Sequence, residues 1–381
     1  MDIGIPLEML DEERRVAMSP AGVHRLVQDG HRVFVQRGAG EGSRWADREY
    51  EAAGAHLAYS GEEAFQRADL VVKVAAPARQ EFDVLREGQA LLCFLRPAVA
   101  PRRGFDTLLS RRIAAVAMEW IEDDDGRMPV REAISEIAGP MAIHVGAHLL
   151  QSSSGGRGIL LAGAPGIPPA NVVILGAGRL GISAARTALG SGAQVLILDT
   201  DVRKLRRVGE LFWNRASTLL ADEYHVSRAV RFADVLIGAV AVWGERTPDV
   251  VTEAMVRTMK PGAVILDLAI DHGGCVETSR PTTFVHPTYV EHDVVHFAVP
   301  NMTADVARTA SAALANAVLM YVREIAARGL PAAAAADPGL ARAVVTFEGR
   351  CLHSTIAEHF GAPYVAPRDA MSAPEASNDR R

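Results

Sequence analysis

The residues with the most specific chemical reading lie in NVVILGAGRLGISAARTALGSGAQVLILD, where Gly176, Gly178 and Gly181 stand in GxGxxG spacing and Asp199 closes the segment. Gly176 permits a tight turn, Gly178 lets backbone approach a pyrophosphate, and Gly181 lets the following helix pack closely on the strand. The N-terminus of that helix, which opens on Arg179 and Leu180, supplies amide donors and the positive end of its dipole. Three bare glycines would say little. An apolar strand before them, a helix after them and an acid about 20 residues on complete a dinucleotide-binding fingerprint. A carboxylate at Asp199 accepts hydrogen bonds from both ribose hydroxyls and repels an added phosphate, which favours NAD over NADP. Arg203, Lys204, Arg206 and Arg207 follow in DTDVRKLRR. They read either as a phosphate-tolerant patch or as a solvated helix face.

A chain of 381 residues is too long for one ordinary core and predicts two domains, with room for a cleft between them. Hydrophobic residues at 49% and charged residues at 23% describe a soluble globular protein, expected in the cytoplasm. The formal charge of −6, with no basic block, argues against a nucleic-acid partner. Cys93, Cys275 and Cys351 are odd in number and far apart, so neither a disulfide framework nor a metal site is implied. The acidic start MDIGIPLEMLDEERR is no signal peptide, and no apolar run reaches the length of a membrane span.

Short apolar runs alternate with amphipathic stretches through the first third: DIGIPL, PAGVHRLVQDG, HRVFVQ, DLVVKVA, ALLCFL and IAAVAMEW. This is the pattern of an α/β fold with a parallel sheet flanked by helices. Ser19 and Pro20 open the first helix and Gly30 closes it. PVREAISEIAGPMAIHVGAHLLQ reads as a helix kinked near Gly139 and Pro140, leading into SSSGGRG as an inter-domain connection. NVVILG, QVLILDT, DVLIGAV, AVILDLAI and VVHFAV then form a second α/β series, followed by a strong helix from Thr303.

From GIPLE to about residue 365 the sequence resembles alanine dehydrogenase, with the alpha subunit of the proton-translocating nicotinamide nucleotide transhydrogenase as a more distant relative. The matching stretches are ERRVAMSPAGV, GAGEGS, DLVVKV, SEIAG, GGRGILLAGAPG, VVILGAGRLG, MKPGAVILDLAIDHGGCVETSRPTT and VPNM. The resemblance implies two Rossmann-like doubly wound domains: a substrate domain of residues 1–130 plus 306–365 and an NAD domain of residues 131–305; the polar, proline- and alanine-rich residues 366–381 are expected to form a disordered tail. It implies hydride exchange between an L-amino acid and NAD, giving a 2-oxo acid and ammonia, in a homo-oligomer, either hexamer or dimer. By position, it places Arg15 on the substrate carboxylate, a task suited to a planar guanidinium. It places Lys73 on the substrate carboxylate or carbonyl oxygen, and a lysine in an otherwise apolar strand would be costly to bury unpaired. Asp271 falls on the family's acidic residue beside the nicotinamide, although it could instead cap the turn before Gly273 and Gly274. Ser135, Lys204, Val240, Leu268, Ala269, Ile270, Asp271, Arg280, Val299, Asn301 and Met302 match the family's cofactor contacts. Ala221 does not, because the family often has serine there.

One departure bears on the chemistry. In LLCFLRPA, Arg96 stands where the resemblance places a catalytic histidine. Histidine exchanges protons near neutral pH, whereas a guanidinium stays protonated. Three readings stay open. Arg96 could join Arg15 and Lys73 in a cationic pocket for a substrate with a second anionic group. His272 could take over proton transfer beside Asp271. Or the chain could be a catalytically silent NAD(H)-binding paralogue. Among other residues, His144 and His148 have metal-compatible spacing but lack an acidic or thiol partner and are expected to pack. Met302 and Trp243 read as apolar walls of a nicotinamide pocket. Glu119, at a strand end, is expected to face the crevice.

Overall fold

The computed structural model describes residues 1–96, 100–240 and 246–371; Trp243 and the last ten residues lie outside this set. Two compact units result, one of Met1–Ala133 with the chain from Ala304 onward, the other of Ile134–Thr303. The division falls inside a single helix, Pro129–Leu149, that carries Pro140 in its interior. The SSSGGRG segment therefore belongs wholly to the second unit and is not a connection between units.

In the first unit the strands are β1 (Asp2–Ile5), β2 (Arg32–Gln36), β3 (His56–Ala58), β4 (Leu70–Ala75), β5 (Ala90–Phe94) and β6 (Ala114–Ala117). The second unit continues with β7 (Asn171–Leu175), β8 (Gln194–Asp199), β9 (Ser217–Leu220), β10 (Val235–Gly238), β11 (Val264–Asp267), β12 (Thr288–Glu291) and β13 (Val294–Phe297). Back in the first unit, β14 (Val344–Phe347) and β15 (Arg350–Cys351) complete the strands of the described residues. The two sheets run β15-β14-β6-β5-β4-β1-β2-β3 and β12-β13-β11-β10-β7-β8-β9. Within each, six parallel strands follow the doubly wound order 3-2-1-4-5-6; the hairpin β14-β15 is added antiparallel to β6 in the first sheet, and β12 antiparallel to β13 in the second. In this order the first and fourth strands are neighbours whose crossovers leave in opposite directions. The carboxyl ends of the strands about that point are where such sheets bind ligands.

The central strands are buried on both faces, so they read as continuous apolar runs. On β7, Val172 and Ile174 pack with Ala142 and Ile143 of the long helix and Ala184 and Ala188 of helix Arg179–Gly190. Val173 and Leu175 pack on the other face with Val226, Ala229 and Val230 of helix Glu223–Phe232. Full burial of each such valine, leucine or isoleucine side chain contributes about 1.5–3 kcal/mol. In the first unit, helix Ala307–Arg328 is tied down by Ser311, whose Oγ accepts the Val16 N–H at 2.9 Å and lies 2.7 Å from the Ser43 Oγ.

Two expectations are corrected. The tail from residue 366 begins with an ordered turn of helix, Pro367–Met371, because Ala370 is buried. His144 and His148 do not pack; both are exposed on the long helix, and the His148 ring lies 3.3 Å from the Ser154 hydroxyl.

Candidate active site

In the second unit, the three glycines are required for different reasons. Gly176 has φ of 106°, and a Cβ there would lie 2.5 Å from the Ala239 carbonyl oxygen. A Cβ on Gly181 would fall onto the Gly176 carbonyl oxygen, so the helix can rest on the strand only without one. A Cβ on Gly178 would meet nothing within 4 Å. The protein does not need a glycine at that position for its own packing; the open backbone at the start of helix Arg179–Gly190 is a cradle that a pyrophosphate fits. Gly139 has a similar packing role, since a Cβ there would lie 2.6 Å from Ala184 N and 2.7 Å from Leu180 O. This close approach sets the long helix, with Ser135 in it, beside the glycine loop. Arg179 reaches back to Glu136 at 3.5 Å.

Asp199 ends β8 and is nearly buried. Its Oδ2 accepts the Ala177 N–H at 2.7 Å and its Oδ1 the Asp201 N–H at 2.8 Å. Each oxygen keeps a lone pair for a ribose hydroxyl, and the two bonds hold the carboxylate against the glycine loop. Lys204 Nζ stands 3.8 Å from Oδ2. Arg203 is held by Asp201, while Arg206 and Arg207 are exposed on a helix that buries Leu205, Val208 and Phe212. The basic run is thus the solvated face of that helix, and a 2′-phosphate would confront Asp199.

Beyond β11 the chain forms a tight turn, Ile270–His272, that carries Asp271. The Gly273 and Gly274 N–H groups donate to the Ile270 and Ala269 carbonyls, so backbone closes the turn. Asp271 Oδ1 instead accepts the Asn301 N–H at 3.2 Å. Asn301 holds a left-handed φ of 53°, a conformation stored more often at working sites than elsewhere. Val299 and Met302 flank it and are buried, and Leu268 to Ile270 lead into the turn from β11. His272 is half-buried, and its carbonyl accepts the Thr247 N–H at 2.9 Å. Val240 follows the end of β10. Arg280 is engaged on the edge strand β12, 3.8 Å over the Tyr289 ring and 3.0 Å from Glu291.

Two residues in this region went unnoticed in the sequence. Asp267, fully buried at the end of β11, accepts the N–H groups of Ala269, Cys275 and Val276 at 3.1, 2.9 and 3.1 Å. It fixes the loop that presents Asp271; the only signal was an acid inside an apolar strand. Arg246 lays its side chain over Gly273, where a Cβ would meet it at 2.6 Å. Burial holds Cys275 and Cys93 well above the usual thiol range, so neither is a ready nucleophile.

In the first unit, Lys73 lies within β4, Arg96 just past β5, and Arg15 in the irregular chain between β1 and helix Pro20–Gln28, each beside a carboxylate. Lys73 is fully buried in β4 and contacts Glu8 at 3.1 Å and Glu81 at 2.8 Å. Burial opposes its charge, yet the two carboxylates prevail and raise its pKa. Arg15, also buried, forms a two-pronged pair with Glu13: Nε to Oε1 at 2.7 Å and Nη2 to Oε2 at 2.6 Å. Burial pushes Glu13 up, but the hydrogen bonds and charge of Arg15, with the charge of Arg96, bring it below the usual range. Arg96 follows β5 with a left-handed φ of 45°. Its N–H donates to Glu119 Oε1 at 2.6 Å, and the Leu95 N–H to Oε2 at 3.3 Å. Glu119 is buried and engaged with β5, and burial raises its pKa. Burial likewise pulls Arg131 down to about 10, against the opposing pull of Glu119.

Arg15 is paired with Glu13, and Lys73 with Glu8 and Glu81, so part of the mutual repulsion that would call for a second substrate anion is already offset.

The chain matches the family models described as Alanine dehydrogenase/PNT, N-terminal domain, over residues 4–138, and C-terminal domain, over residues 142–354. It is 44% identical over 372 residues to an alanine dehydrogenase of Mycobacterium tuberculosis (strain ATCC 25618 / H37Rv), covering 98% of this chain and 100% of that protein. Its identity to an alanine dehydrogenase of Methanococcus maripaludis is 40% over 373 residues, with 98% and 100% covered. A solved L-alanine dehydrogenase superposes with a TM-score of 0.89 at 41% identity, covering 95% of this chain and 99% of that one. A transhydrogenase from Sinorhizobium meliloti superposes with a TM-score of 0.78 at 26% identity, covering 93% and 99%.

Proposed function

The chain belongs to the alanine dehydrogenase/PNT family, and on that premise we propose that it is an NAD-dependent amino-acid dehydrogenase that interconverts an L-amino acid with its 2-oxo acid and ammonia. The observation that carries this reading is that Arg15 and Lys73 are kept buried and charge-paired in one unit, while the other keeps the dinucleotide cradle. A chain retained only to bind NAD would have use for the second alone. That favours the enzyme over a silent paralogue.

Gly176, Gly178 and Gly181, the amides that open helix Arg179–Gly190, and Asp199 would hold the cofactor, whose bound nicotinamide accepts or returns the hydride. Arg15 binds the substrate carboxylate through its planar donors, and Lys73 stabilises the negative charge on carboxylate or carbonyl oxygen. Oxidation removes a hydride from Cα and a proton from nitrogen; water adds to the resulting imine and ammonia leaves. Arg96 cannot carry any of these protons. We assign the proton work to Asp271, with His272 as its neighbour and second candidate, and give Arg96 the role of a fixed positive charge. The first unit is then the substrate domain and the second the NAD domain.

No described helix is long and apolar enough to cross a membrane. We place the enzyme in the cytoplasm as a homo-oligomer acting on small molecules, with neither nucleic acid nor membrane as partner. The test is steady-state NADH formation across a panel of L-amino acids and NADH loss with 2-oxo acids plus ammonium. Turnover of at least one pair is expected. Tight NADH binding with no turnover throughout would leave only the silent paralogue.

A further inference from the structure

We infer that Asp201 is a second determinant of cofactor specificity, which occupies the donors of Arg203 that a 2′-phosphate would need. This rests on the reading of Asp199 as the acid that meets the adenosine ribose. The two carboxylates stand two residues apart, where β8 gives way to helix Val202–Phe212, and the Asp201 N–H donates to Asp199 Oδ1 at 2.8 Å. A phosphate carried on a ribose hydroxyl at Asp199 would therefore arrive next to both.

Asp201 Oδ1 accepts the Arg203 backbone N–H at 2.8 Å, which caps the helix, and the Arg203 Nε–H at 3.1 Å; Oδ2 accepts from Nη2 at 3.1 Å. One carboxylate thus takes a first-turn amide and part of a guanidinium, the two kinds of donor that hold phosphate groups. The Arg203 side chain is 87% exposed and that of Asp201 27%, so an incoming ligand can meet the pair. Those hydrogen bonds, led by the Arg203 side chain, hold Asp201 below the usual carboxylate range, so it is ionised at neutral pH. Its charge offsets that of Arg203, and the pair offers a phosphate no net attraction.

Lys204 Nζ lies 3.8 Å from Asp199 Oδ2, so removing Asp199 releases Lys204 but leaves Arg203 held. A 2′-phosphate, close to doubly charged near neutral pH, would then meet one available cation and one carboxylate. Removing the charge of Asp201 as well turns the pair into a second available cation, and the nucleotide with the extra phosphate gains most from that. Asparagine suits this change, because its side-chain oxygen still caps a helix while it no longer offers a guanidinium an anion.

The experiment compares the unmodified full chain with D199S, D199S/D201N, D199S/D201N/R203A and D199S/R203A. Each is titrated with NADH and with NADPH by nicotinamide fluorescence, which needs no turnover, and the quantity read is the Kd for NADPH divided by that for NADH. Adding D201N to D199S should lower this ratio about tenfold, as one added charge-assisted contact would, and R203A should return it to the D199S value. A merely structural role at the helix start would scale both nucleotides equally. Equal scaling, no change, or a lowered ratio that survives R203A overturns the proposal. Should the D201N chains fail to fold, D199S/R203A decides: a ratio equal to that of D199S supports the hold of Asp201 on Arg203, and one about tenfold higher overturns it. If D199S leaves both affinities unchanged, the assignment of Asp199 fails and the proposal with it. Absence of NADH binding by the unmodified chain refutes the dinucleotide site itself, whereas absence of turnover with NADH bound refutes only the dehydrogenase reading.

Discussion

Glu119 accepts the backbone N–H of Arg96 at 2.6 Å while Arg96 holds a left-handed φ of 45°, so a buried carboxylate just past one strand pins a strained residue just past the next. A left-handed non-glycine residue persists only where its surroundings over-determine it. Glu8 works in the same way one strand pair over, where it accepts the Val74 N–H at 2.6 Å and contacts Lys73. Acids on neighbouring elements thus hold the Arg96 backbone and the Lys73 ammonium, whereas Arg15 is held by Glu13, two residues away.

Replacing Glu119 by alanine leaves the Leu95 and Arg96 N–H groups without this buried acceptor, at a cost of about 2–4 kcal/mol. Urea unfolding should show that loss, with NADH affinity little changed in whatever fraction remains folded.

Arg96→His restores a group that titrates near neutral pH, and histidine tolerates a left-handed backbone better than most residues. Alanine oxidation should rise, and the kcat profile should acquire an ionisation near pH 6.5, give or take about one unit. An unaltered profile would place the proton work wholly elsewhere, as the assignment to Asp271 requires of the unmodified chain.

Gly178→Ala and Gly181→Ala should separate ligand binding from folding. A methyl at Gly178 meets no protein atom within 4 Å, so stability should hold while NADH binding weakens by at least about tenfold. A methyl at Gly181 collides with the Gly176 carbonyl, so the melting temperature itself should fall. Asp199→Ser, in the same unit, should lose NAD affinity and admit NADP, read as a ratio of kcat/KM values.

Lys73→Met strands Glu8 and Glu81 together in a buried site and should cost about 3–5 kcal/mol, part of which a second change, Glu81→Gln, should return. The Arg15 pair has a pH signature of its own. Because the folded pKa of Glu13 lies below its ordinary 4.5, the stability it contributes is fully present above that value and is lost as pH falls through the folded one. The stability gap between the unmodified chain and E13Q should therefore be flat near neutral pH and close progressively in acid below about 4.5.

What could be read from the sequence followed burial. Strands such as β7, β8 and β11, apolar on both faces, stood out as runs, and the glycine fingerprint carried its own geometry. β9, β12 and β15 did not, because they are short and lie at or beside sheet edges, partly open to solvent, where no apolar run is needed. Arg15, Lys73 and Asp271 could be placed by resemblance alone, since each draws its meaning from the family's pattern. Their partners could not. Glu13 is two residues from Arg15, but Glu8 is far along the chain from Lys73, and Glu119 is 23 residues from Arg96. Only folding brings those carboxylates to their cations, which is why a cationic pocket is legible in one dimension and a charge-paired one in three.

The most direct measurement follows the hydride. Incubating the enzyme with NADH deuterated on the transferable face, ammonium and a panel of 2-oxo acids should yield an L-amino acid carrying deuterium at Cα by mass spectrometry, with label lost when Asp271 is changed to asparagine. Recovery of unlabelled 2-oxo acid alone, from protein that binds NADH tightly, would contradict the dehydrogenase.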